Sequence, residues 1–120
     1  MLKAIFVSLA IILAGCGASS PEMPLPELAG GLPSNFEQAQ KVFDQRVKAK
    51  FAVGTLESNL KAVVINQGFR LFPASSPSDF AMAVLERKES FLCLGRWTVR
   101  WRVKGDKLSE VWGVYGSLCV

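Results

Sequence analysis

From Cys93 to Lys104 apolar and polar positions alternate one by one. Cys93, Trp97, Val99, Trp101 and Val103 share one parity, and Arg96, Thr98, Arg100, Arg102 and Lys104 hold the other. A period of two is the mark of a strand with one buried and one wet face. Gly105-Asp106 breaks the alternation and reads as a hairpin turn. A three-residue loop, Gly105-Asp106-Lys107, sets Cys93 opposite Cys119, Arg100 opposite Trp112 and Arg102 opposite Glu110. A two-residue Gly105-Asp106 turn would shift every pair by one. In the first register the two thiols fall within reach of a disulfide.

Upstream the period changes. Phe36, Ala39, Phe43, Val47 and Phe51 (or Lys50) recur at helical spacing, with Lys41, Asp44, Gln45 and Lys48 on the other side. Ser34-Asn35-Phe36-Glu37 fits a capping box, so a first helix is expected over 34–51. After Gly54, Thr55 is placed to cap a second helix whose apolar face is Leu56, Leu60, Val63 and Val64. Gly68 stands where a left-handed C-cap belongs, followed by an apolar Phe69. Residues 73–78, PASSPS, read as a loop. Residues 79–87 favour helix by propensity, yet Phe80, Met82 and Val84 alternate, and a hairpin needs a third strand to make a stable sheet. A strand is the expectation there. The pattern thus predicts an α+β fold, ααβββ: two helices on one face of a three-stranded antiparallel meander, its C-terminal hairpin closed by Cys93–Cys119.

The N-terminus carries a different signal. Lys3, the apolar run 4–13 and Leu13-Ala14-Gly15-Cys16 resemble a bacterial lipoprotein signal, whose cysteine takes a diacylglycerol. The run is too short for a membrane span, which needs about 20 apolar residues. Residues 1–15 are therefore expected to be a signal peptide. Residues 16–33 would be a lipidated Cys16 and a Pro/Gly/Ser-rich tether, and 34–120 a single domain. Within the tether, Met23-Pro24-Leu25-Pro26 is an alternative docking segment. Gly17 rather than Asp after the cysteine points to an outer-membrane lipoprotein facing the periplasm. Lipidation of Cys16 takes one of three cysteines and leaves an even pair, Cys93 and Cys119, in an oxidising compartment. Two buried free thiols are the alternative.

Composition removes several classes of chemistry. The chain has no histidine, the commonest general base and metal ligand. Neither a metal nor a cofactor is expected beyond the covalent lipid. Glu86 and Glu89 lie among Arg87 and Lys88 as a solvated charge run, and Ser75, Ser76 and Ser78 have no evident activating partner. Gly30-Gly31 precedes Leu32-Pro33 and not a phosphate-binding helix. Of the 14 Lys and Arg, Lys3 falls in the signal, which leaves a mild excess over 10 Asp and Glu. That excess is too small to argue for nucleic acid. The expectation is a non-enzyme.

The run FDQRVKAKFAVGTLESNLKAVVINQGF, residues 43–69, resembles the small outer-membrane lipoproteins of the BamE (SmpA/OmlA) type. A similar two-helix, three-strand plan occurs in the modules of β-lactamase-inhibitor proteins. The resemblance implies a non-catalytic envelope module, anchored to membrane lipid through Cys16 and docked on an envelope protein. The alternative it leaves open is an inhibitor or immunity-type lipoprotein that blocks a hydrolase. Parity places Arg96, Arg100 and Arg102, with Trp112 beside Arg100, on the face away from the helices. Arg and Trp are enriched at binding hot spots, so these four are the expected partner-binding residues. Otherwise they form a solvated face whose stems cover the indole.

Overall fold

The computed structural model describes residues 24–120. Cys16 and the expected signal peptide, residues 1–15, lie outside the described residues. The chain forms α1 (Phe36–Lys50), α2 (Glu57–Asn66), β1 (Arg70–Phe72), β2 (Ala81–Lys88), β3 (Cys93–Lys104) and β4 (Lys107–Cys119). The strands make one antiparallel sheet in the order β1-β2-β3-β4. The expected three-stranded ααβββ fold is thus corrected to two helices and four strands. The additional strand is β1, which pairs Arg70 with Val84, Leu71 with Ala83 and Phe72 with Met82. Three exposed residues are too few to show a period, and pairing with β2 alone makes them a strand.

Phe43 and Val47 of α1 and Leu60 and Val64 of α2 share one core with Ala83, Leu85, Trp97, Val99, Trp101 and Val111. All these strand residues are odd-numbered, so both helices cover one face of the sheet. Helix α1 begins one residue later than a Ser34 cap would set it. The Asn35 side chain accepts from the Gln38 amide at 3.1 Å. With that start Ala39, Phe43 and Val47 point inward, while Phe36 is left exposed.

Thr55 does not cap α2, because its backbone is bound to the hairpin. The Leu108 amide donates to the Thr55 carbonyl at 2.8 Å, and the Gly54 amide to the Leu108 carbonyl at 2.8 Å. The Glu57 amide, an orphan at the helix start, is satisfied by the Asp106 carbonyl at 2.9 Å. At the other end Gly68 adopts φ +90°. The amides of Gly68 and Phe69 return to Ile65 and Val64, the paired bonds of a Schellman motif.

The hairpin register is the first of the two considered, reached by a different route. Lys104 pairs with Lys107, so the turn is the two-residue Gly105-Asp106, with Gly105 at φ +66°. An extra residue in β4 opposite Arg102/Val103 then forms a β-bulge and moves the pairing by one. Beyond it Arg102 faces Glu110, Arg100 faces Trp112 and Cys93 faces Cys119. The two cysteines are bonded.

Part of the segment expected to be a tether belongs to the fold. Leu28 and Ala29 are buried. Arg46 of α1 donates to the carbonyls of Glu27, Leu28 and Gly30, and the Leu28 amide donates to Gln67 Oε1 at 2.9 Å.

Helix α1 lies against β4 so closely that its polar side chains bond the strand. Gln40 Nε2 donates to the Gly113 carbonyl at 3.0 Å, Asp44 Oδ1 accepts from the Gly113 amide at 2.9 Å, and Gln40 Oε1 accepts from the Tyr115 amide. Asp44, expected on the wet side of α1, is thus used structurally. A Cβ on Gly113 would stand 2.9 Å from Val47 and 3.0 Å from Phe43, so only glycine admits this approach.

Candidate functional site: the uncovered face of the sheet

Between the disulfide and the bulge the even-numbered strand residues face away from the helices; on the turn side of the bulge β4 reverses, and Leu108 joins the core. Arg100 lies in register between Met82 and Trp112, Thr98 between Val84 and Val114, and Arg96 between Glu86 and Gly116. Arg70 and Phe72 extend these rows onto β1. The site unites the four residues that parity selected. It adds Phe80, which precedes β2 on the same parity.

Phe80 is the centre of the cluster. Its ring meets Trp112 edge to face at 5.5 Å between centroids. The Arg100 guanidinium lies 5.0 Å from the Phe80 centroid, and that of Arg102 lies 5.8 Å from Phe80 and 5.6 Å from Trp112. These are cation–π distances. Two arginines and two aromatic rings hold one another in place, which lowers the side-chain entropy that a binding event would otherwise remove.

The charge pattern differs from the expectation in one respect. Arg96 is paired with Glu86 at 2.9 Å, and Arg102 with Glu110 at 2.8 Å. Glu86 is therefore a solvent-exposed cross-strand partner of Arg96. Arg100 makes no ion pair with a described residue, and its Nε is buried without a hydrogen-bond partner. Among the described residues its guanidinium is met by the Phe80 ring. With Arg70, the face carries four guanidinium groups against two carboxylates.

The ends of the sheet carry two other polar groups. At one end Glu89 accepts from the Tyr115 hydroxyl and from Ser117 Oγ. Burial, helped by the hydrogen bond to Glu89 and its charge, pushes the Tyr115 hydroxyl up to about 12. Tyr115 is the sole tyrosine, so its titration is readable directly. Tyrosinate should form with a midpoint near 12. Because the unfolded value is 10.0, the stabilisation from neutral Tyr115 is complete below pH 10 and disappears as pH rises toward about 12. Glu89→Gln should return the midpoint only part of the way, since burial is the larger cause.

At the other end a cavity of about 400 Å³ is lined by Glu57, Lys61, Phe72, Asp79, Trp101 and Arg102, among others. Ser75 Oγ donates to Asp79 at 2.6 Å, a partner the sequence did not disclose. That bond and the Phe80 amide hold the Asp79 carboxyl below its ordinary value. Among the described residues no group of three His, Cys, Asp or Glu could hold a metal ion, and no helix is long and apolar enough to cross a membrane.

No family model matches the chain, and no curated protein or solved structure matches it.

Proposed function

We propose that the protein is a lipid-anchored, non-catalytic module of the cell envelope that binds an acidic partner protein through the uncovered face of its sheet. The observation that supports this reading most directly is Arg100. Among the described residues it is a guanidinium without a carboxylate, its Nε without an acceptor, set between Phe80 and Trp112 on the face opposite α1 and α2. Desolvated guanidinium groups without an internal counter-charge favour a partner that supplies one. The lipobox-like run at Leu13-Ala14-Gly15-Cys16 supports the anchor, and the BamE-type resemblance of residues 43–69 supports the envelope.

The test is crosslinking of the membrane-tethered chain in cells, with the wild type and the double variant Arg100→Ala, Trp112→Ala compared. Hot-spot truncations cost 2 kcal/mol or more, which is roughly a 30-fold loss of affinity. The expected result is an acidic protein captured by the wild type, sensitive to salt, and lost from the folded double variant. Undiminished capture by that variant removes this face from the binding surface. Mass analysis of the mature chain reads the anchor separately, as an acyl adduct on Cys16.

A further inference from the structure

Large apolar side chains are exposed at several places, but four of them share the disulfide end of the sheet. Phe91 is 96% exposed, Leu92 52%, Leu118 52% and Val120 102%. They are neighbours in space, because the Val120 amide donates to the Leu92 carbonyl at 2.9 Å and Leu94 pairs with Leu118. Together they frame a mostly apolar notch of about 310 Å³ beside Lys88. The Cys93–Cys119 bond joins the two strands directly beneath it. An apolar patch at the tip of a rigid hairpin is a feature that folding does not require and that water disfavours.

The place where the chain leaves the described structure is at the same end. Leu25 lines a cavity together with Pro33, Glu89, Trp97 and Tyr115, and Glu89 is two residues from Phe91. The ring of Tyr115 lies 5.4 Å from Trp97, and Ser117 reaches the same Glu89. Between Cys16 and Pro24 stand residues 17–23 only. Seven residues span at most about 25 Å, so a lipid on Cys16 would hold this end of the domain close to the bilayer.

We infer that the tip formed by Phe91, Leu92, Leu118 and Val120 is a second membrane contact, inserted at the headgroup–acyl boundary next to the lipid anchor. This inference rests on the lipid-anchor reading. Phe and Leu side chains partition to that boundary, and Lys88 beside them suits anionic headgroups. The contact sets orientation: the strands stand up from the membrane, and the face bearing Arg100 and Trp112 looks sideways along it.

The full chain, isolated from cells that express it with residues 1–15 and mixed with vesicles of phosphatidylethanolamine and phosphatidylglycerol, tests this with Phe91→Trp and, as the far-end control, Val103→Trp. Flotation with the vesicles is read first. Brominated lipid should then remove most of the emission that Phe91→Trp adds over the three native tryptophans, and none of that added by Val103→Trp. A chain that does not float lacks the anchor and overturns both readings. A chain that floats while its Trp at position 91 stays unquenched and open to aqueous acrylamide overturns this one alone. A lipid-free emission shift at position 91 that grows with protein concentration, without bromolipid quenching, assigns the tip to a second copy and also overturns it.

Discussion

Trp101→Ala should lower the unfolding free energy by about 3–5 kcal/mol, the usual cost of truncating a fully buried large aromatic residue. Trp101 is 1% exposed and lies in register between Ala81 and Val111, so the sheet offers only small neighbours to fill the space it leaves. Its indole also donates to Glu57 Oε2 at 2.8 Å, which ties β3 to the first turn of α2. The substitution therefore removes both a packing element and the polar link between layers. Trp101→Phe keeps most of the ring and loses the hydrogen bond, and should cost markedly less. Urea unfolding of both variants checks this: the midpoint should move while the slope stays that of the wild type. A loss below about 1 kcal/mol for the alanine variant would mean the layer is held elsewhere.

Cys93→Ser should cost about 2–5 kcal/mol, as loss of a native disulfide does in small secreted domains. For a domain whose whole stability is on the order of 5–10 kcal/mol, that is a large share. The bond joins the first residue of β3 to the last of β4, where Leu118 is 52% exposed and adds little buried apolar area to the pairing. Removing it should fray Leu94 and Leu118 first. Thermal unfolding with and without reductant gives the size of the effect, and hydrogen exchange at these two amides gives its place. Equal unfolding temperatures in the two conditions would show that the cross-link adds nothing.

Local signals and the β3–β4 pairing proved readable, and the pairings of β1 and β2 did not. The Gly68 terminus was legible because a Schellman motif is written in adjacent residues. Trp97, Val99 and Trp101 of β3 were legible because alternation reports a face directly, whereas Val103 of the same parity is exposed and Thr98 of the other is buried. The Arg100–Trp112 and Cys93–Cys119 pairs were assigned from a three-residue loop, and a two-residue turn plus a bulge gives the same pairs. β1 carries no pattern of its own, since its exposed residues become a strand only through β2. The pairing of Arg96 with Glu86, and the place of Phe80 among the arginines, depend on the β2–β3 register. The irregular loop 89–92 sets that register, and no periodicity encodes it. Docking of Leu28 and Ala29 was hidden for a similar reason: its polar link is Arg46, in a helix that periodicity describes only by its apolar stripe.

The contact of α1 with β4 has a consequence for assembly. A sheet can be extended by another chain wherever an edge presents an unbroken row of amides and carbonyls. The β4 edge is interrupted twice, by Thr55 and Gly54 at Leu108 and by Gln40 and Asp44 at Gly113 and Tyr115. The opposite edge is β1, whose three residues offer only a short row of such groups. Strand addition at β4 therefore has to displace side chains of α1 and the backbone of Gly54 and Thr55 before a new ladder can form.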